Sequence, residues 1–128
     1  MGKKIYIICS VREATDEVRE KLESYTKKLI CDGHEVHLPH IHTNQDNTSI
    51  GICDENVEAI KWADEIHIFF DSTSTGSHFD MGAAFVLGKP IKLIENESYE
   101  PYDENGKYLK SFPHMLKEWD VRSNFGNK

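Results

Sequence analysis

Five hydroxyl side chains, Ser72, Thr73, Ser74, Thr75 and Ser77, lead into a single carboxylate, Asp80. The stretch runs Ser72-Thr73-Ser74-Thr75-Gly76-Ser77-His78-Phe79-Asp80-Met81-Gly82-Ala83-Ala84, and Gly88-Lys89-Pro90-Ile91 follows it. Hydroxyls and backbone N–H groups suit a bound hydroxyl or phosphate, and a carboxylate among them can attack or stabilise a sugar carbon. The apolar run Ile66-His67-Ile68-Phe69-Phe70 comes just before. The loop therefore sits where a strand feeds a helix, and α/β folds bind ligands outside the carboxyl ends of their strands. Asp80 also has a purely structural reading. With Ser77 as N-cap and Asp80 at the third helical position, Ser77-His78-Phe79-Asp80 forms a capping box. The positive helix end would then keep the carboxylate ionised.

The elements that must position these groups follow from periodicity. Lys4 to Cys9 is rich in β-branched and aromatic residues and reads as a buried strand; Tyr6 within it points either to core or to crevice. Glu13 to Asp32 reads as a helix, with Val18, Leu22, Tyr25, Leu29 and Ile30 near helical spacing and Gly33 as its stop. Glu35–Leu38 is a weaker strand. Pro39 to Ile52 has turn residues without a period and reads as a loop, long enough to be functional. Asp54–Ala63 and His78–Leu87 read as helices, Asp64–Phe70 and Ile91–Ile94 as strands. From about residue 95 the chain becomes a polar C-terminal extension, with a short helix over Phe112–Trp119. This alternation predicts one α/β domain over residues 1–128. Its expected form is three-layer and flavodoxin-like (Rossmann-like), with a parallel sheet of four to five strands in the order 2-1-3-4(-5). The switch point falls between the first and third strands. The loops Ser10-Val11-Arg12 and Asp71–Ser77 must then face one crevice.

Composition narrows the partners. Lys and Arg total 15 against 22 Asp and Glu, a formal charge of −7. That balance argues against a nucleic acid polymer, which needs clustered cations. A small nucleotide held by N–H groups and one Arg remains compatible. The cysteines are Cys9, Cys31 and Cys53, an odd number with no C-x-x-C pair, as in a reduced cytoplasmic protein. No run is long enough to span a membrane, and the N-terminus carries no signal-peptide pattern. His34, His37, His40 and His42 invite a metal reading, but no tight Cys/His pair accompanies them, and no metal is expected.

Three pieces of the first 95 or so residues resemble the nucleoside 2-deoxyribosyltransferase superfamily, which includes deoxynucleoside 5′-monophosphate N-glycosidases. Ile7-Ile8-Cys9-Ser10-Val11-Arg12 is similar to its opening strand and Ser-x-Arg loop. Trp62-Ala63-Asp64-Glu65-Ile66 is similar to its entry into the third strand. Gly76 to Ala83 with Gly88-Lys89-Pro90-Ile91 resembles its most specific signature. The resemblance implies a carboxylate nucleophile at Asp80, a glycosyl-enzyme intermediate and a supporting role for Asp64. It also implies substrate or phosphate contacts from Ser10, Val11, Arg12, Asp71, Ser74, Gly76 and Ser77. The implied ligand is a nucleoside or nucleotide; no cofactor is implied, and a homo-oligomer is expected. Two departures stand out. Asp80 replaces a glutamate, one methylene longer, and Asn56, eight residues before Asp64, replaces a frequent aspartate. These keep open a non-catalytic nucleotide-binding or sensing module of the same fold.

Overall fold

The computed structural model describes residues 2–10, 15–95, 102–108 and 110–124. Strand β1 is Lys4–Ile8 and helix α1 is Asp16–Cys31. Thr15 caps α1, its hydroxyl accepting from the Val18 N–H at 3.2 Å. Asp16 and Glu17 complement the positive helix end and Lys28 the negative one. Glu13, where the sequence pattern starts this helix, lies outside the described residues. Gly33 takes φ +95°, a left-handed turn that ends the helix where a Cβ would be strained.

Strand β2 is Glu35–His37. The segment expected to be a loop is partly helical. Pro39–His42 forms the short helix α2, with Pro39 at its first turn, and α3 spans Ser49–Trp62. Thr48 caps α3 by accepting from the Gly51 N–H, so that helix starts five residues before Asp54. Gly51 and the polar residues Asn47, Thr48 and Ser49 hid its first turn from periodicity. Strand β3 (Glu65–Phe69), helix α4 (Thr75–Val86) and strand β4 (Ile91–Glu95) follow, then α5 (Phe112–Asn124).

The four strands are parallel in the order β2-β1-β3-β4. Tyr6 pairs with His37 on one side and Ile66 on the other. Alternation along β1 divides the core. Tyr6 and Ile8 face the layer that holds Ile60, Met81, Ala84, Leu116 and Trp119. Ile5 and Ile7 face Leu22 and Leu29 of α1.

No fifth strand appears among the described residues. Instead α5 covers the β4 edge. Asp120 accepts from the Leu93 N–H at 2.8 Å, and Ser123 accepts from the Ile91 N–H at 3.0 Å. An open edge would expose those donors to other chains. The polar tail is thus part of the fold, anchored by buried Leu116 and Trp119.

The Gly88-Lys89-Pro90 turn has a structural role. Gly88 sits at φ +69°, and Lys89 Nζ donates to the carbonyls of Lys61 (2.9 Å) and Ala63 (2.7 Å) at the end of α3. A cation there satisfies orphan carbonyls and complements the helix dipole. Lys89→Met is expected to cost about 1–2 kcal/mol of stability in urea titration while leaving ligand affinity unchanged.

Candidate active site

Outside the carboxyl ends of β1 and β3 lies a cavity of about 340 Å³. That size is in the range of small-molecule sites. Its floor is Asp80, its walls Cys9 and Ser10 after β1 and residues 73–77 before and within α4, and its far side Pro39, Gln45, Ser49, Ile52 and Asn56. Strands β1 and β3 are neighbours, so their following loops meet at the switch point.

Asp80 is not a capping residue. Ser74 is the N-cap of α4, accepting from the Ser77 N–H at 3.2 Å, so Ser77 is the third helical residue and Asp80 the sixth. The two-serine spacing Ser74/Ser77 left the choice of cap open, and the earlier one wins. Asp80 lies in the second turn and only 5% of its surface is exposed. The Tyr6 hydroxyl donates to Asp80 Oδ2 at 2.8 Å, across 74 positions of sequence. Asp80 Oδ1 is buried without a hydrogen-bond partner among the described residues.

The electrostatics follow from this placement. Burial pushes the Asp80 carboxyl up to about 6, opposed by the Tyr6 hydroxyl and the Asn56 amide, which both favour the charged form. Asn56 stands near Asp80 without a formed bond to Oδ1. The expectation that the helix end keeps Asp80 readily ionised therefore gives way to desolvation. Tyr6 is held well above its usual range by burial and by the adjacent carboxylate. Burial and Asp80 together push the Cys9 thiol up to about 12, which leaves it protonated and inert at neutral pH.

Two more polar atoms point to a ligand. Ser10 Oγ and Ser77 Oγ are buried and have no hydrogen-bond partner among the described residues, as is true of Asp80 Oδ1. An unpaired buried hydroxyl or carboxylate oxygen costs free energy, and such atoms mark places where a missing partner belongs. All three residues line the one cavity. Ser74 and Gly76 line it as well, and nothing lies within 4 Å of where a Gly76 Cβ would be.

Other expected residues fall elsewhere. Asp71 does not line the cavity. Its Oδ1 accepts from the Thr73 N–H (2.9 Å) and hydroxyl (2.7 Å), which fixes the loop and, with Ser10 nearby, holds its carboxyl below the usual range. Asp64 sits at the amino end of β3, where its Oδ2 accepts from the Lys4 N–H at 2.9 Å. At about 3.3 Å per strand residue, the cavity is roughly 20 Å away. Val11 and Arg12 lie outside the described residues. The His37 and His42 rings touch, with centroids 5.6 Å apart, while His34 bonds Lys3 and His40 bonds Glu23. Among the described residues no three metal-ligating side chains converge.

Comparison with solved structures places this architecture. A 2-deoxyribosyltransferase from Bacillus psychrosaccharolyticus aligns over 94% of this chain and 90% of its own, at 20% identity and a TM-score of 0.61. A 2-deoxyribosyltransferase from Leishmania mexicana aligns over 87% and 80%, at 19% identity and a TM-score of 0.62. A CMP N-glycosidase from Clostridium botulinum aligns over 95% and 84%, at 24% identity and a TM-score of 0.59. The fold is the one these proteins share. No protein-family model matches the chain. No curated protein matches it by sequence.

Within this fold, three residues near Asp80 carried little sequence signal. Tyr6 alternates with Ile5 and Ile7 in an apolar strand, and its only signal was a phenol in a buried run. Asn56 was visible as a departure from an expected pattern but not as a neighbour of Asp80. Thr43, buried and bonded to Asn56 Oδ1 at 2.8 Å, sat in a stretch without periodicity.

Proposed function

We propose that the protein acts on N-glycosidic bonds of a nucleoside or nucleoside 5′-monophosphate, with Asp80 as the nucleophile. One observation carries this reading: Asp80 has one oxygen held by Tyr6 and the other, like the Ser10 and Ser77 hydroxyls of the same cavity, without a partner among the described residues. An Asp80 oxygen attacks the anomeric carbon as the bond to the base breaks, with the base taking the bonding pair. Water or a second base then displaces the carboxylate from the sugar. The structural likeness to two deoxyribosyltransferases and a nucleotide N-glycosidase supports this class of chemistry. The same reading includes a homo-oligomer, supported by Phe79 (47% exposed) and Val86 (85%) on one face of α4. It also includes a cytoplasmic location, for which the unpaired Cys9, Cys31 and Cys53 speak.

The decisive experiment incubates the protein with a panel of nucleosides and monophosphates and follows free base by chromatography. Thermal shift is measured in parallel. Base release supports the enzyme. A thermal shift without release identifies a sensing module instead, the outcome that Asn56 would favour, since an amide cannot serve as a general acid. For a monophosphate, Arg12 is proposed as the phosphate contact, together with Ser10 and Ser74. Arg12→Ala should weaken monophosphate binding far more than nucleoside binding. The loss of a charged contact is worth roughly 1.5–3 kcal/mol, or about ten- to a hundredfold in Kd. Calorimetry with both ligands checks this, and equal losses would remove Arg12 from the site.

A further inference from the structure

Behind the cavity runs a line of hydrogen bonds that the reaction itself does not use. His37, the last residue of β2, has Nε2 at 2.8 Å from Thr43 Oγ1. Thr43 Oγ1 donates to Asn56 Oδ1 at 2.8 Å. Asn56 in turn faces Asp80 from α3. The His37 ring also stacks on Tyr6, with centroids 5.2 Å apart and planes 7° from parallel, and Tyr6 is the donor to Asp80 Oδ2. The arm through Tyr6 ends on the carboxylate, and the arm through Thr43 ends on Asn56, which lines the same cavity as Asp80.

Proton counting fixes the direction of this line. A threonine hydroxyl has one hydrogen, and here it goes to Asn56 Oδ1. The Thr43 oxygen must then accept from His37, so His37 carries its proton on Nε2. With Asn56 Oδ1 engaged by Thr43, the end of the amide left for Asp80 is the NH₂. The reverse orientation would set a carbonyl oxygen against a carboxylate. We propose that His37 and Thr43 are positioning residues for Asp80. Through Asn56 they aim an amide donor at the carboxylate and so set how readily it ionises. The significance for catalysis rests on the reading of Asp80 as nucleophile, whereas the relay itself does not.

The surroundings are compatible with this. Burial, with His42 adding, lowers the His37 imidazole to about 4 against a weaker opposing pull from Glu55, so the ring is neutral at pH 7. Besides Asp80 itself, the groups that act electrostatically on Tyr6 are Cys9, just after β1, and Cys53 on α3. Cys9, pushed up to about 12, brings no charge at neutral pH.

The test follows the Asp80 carboxyl directly by carbon-13 NMR titration in wild type, Thr43→Val and Thr43→Ser. Valine keeps the shape and removes the hydroxyl, which frees Asn56 to turn. The Asp80 midpoint is expected to rise by up to about one pH unit, a tenfold smaller ionised fraction on the acid side. Serine keeps the hydroxyl and should hold the wild-type midpoint. In wild type, nitrogen-15 NMR should show His37 as the neutral Nε2–H tautomer at pH 7. An unmoved midpoint in folded Thr43→Val overturns the proposal, and so does an Nδ1–H tautomer. The tautomer measurement decides the matter even if the valine variant fails to fold. Base release separates the two readings. A shifted midpoint in a protein with no turnover keeps the relay and removes the enzyme, while turnover with an unmoved midpoint does the reverse.

Discussion

Asp80→Asn is expected to abolish base release and at the same time to stabilise the protein above pH 7. Both effects follow from one buried carboxylate. The amide retains an oxygen that can accept from the Tyr6 hydroxyl, so the local packing persists. It has no charge to attack the anomeric carbon, and turnover should fall by orders of magnitude. The stability effect comes from linkage. Burial raises the folded-state midpoint to about 6, above the ordinary value of an unfolded aspartate. A raised carboxyl favours the folded state fully below about pH 4, and that contribution is lost as pH rises through 6. By pH 8 the ionised group costs about 3 kcal/mol relative to its protonated form. The asparagine variant does not titrate. Its advantage over wild type should therefore approach that figure at pH 8 and shrink toward zero near pH 4. Urea titrations at the two pH values measure it. A variant that loses turnover but gains no pH-dependent stability would contradict the burial of Asp80. Normal turnover in the variant would remove Asp80 from the chemistry. Asp80→Glu keeps the charge and restores the longer arm of the glutamate in the resembling family, so it should retain turnover.

Tyr6→Phe should be the next most damaging substitution. It removes the hydrogen-bond donor to Asp80 while leaving the ring stacked on His37. Asp80 Oδ1 already lacks a partner among the described residues, so neither carboxylate oxygen would then be bonded by any of them. A hydrogen bond to a charged group is worth roughly 1.5–3 kcal/mol. The Asp80 midpoint should rise above 6 by about one to two pH units. Turnover at pH 7 should fall about two- to tenfold, as the ionised fraction does, and recover as the pH increases. The sign distinguishes this from lost packing, which would depress activity equally at every pH. A pH profile of kcat/KM for wild type and variant provides the check. Wild type should lose activity as pH falls through about 6, because Asp80, the proposed nucleophile, is then protonated.

The chain order of strands and helices was written in apolar periodicity. Runs such as Ile5–Ile8 and Ile66–Phe70 are buried on both faces and carry little else, and parallel pairing with right-handed crossovers leaves few arrangements for four such strands. The same rules placed the crevice, and Ser10, Ser74, Gly76, Ser77 and Asp80 line it. Glycine punctuation was equally legible, because Gly33 and Gly88 adopt backbone angles that other residues resist.

Helix starts were less legible. Ser74 and Ser77 are chemically interchangeable as caps, and only the folded chain chooses between them. That choice moved Asp80 from the first turn, beside the positive helix end, into the second turn and the core, and turned a stabilised charge into a costly one. Asp64 shows the complementary limit. Its local motif is intact, yet strand direction puts it at the far end of β3, bonded to the Lys4 backbone. The sequence by itself determined which elements form and at which end of the sheet a ligand site opens, because burial period and turn chemistry are local properties. The tertiary structure alone decided that Tyr6, Thr43, Asn56 and Asp80 meet, because contacts across 13 to 74 positions leave no periodic trace in the chain.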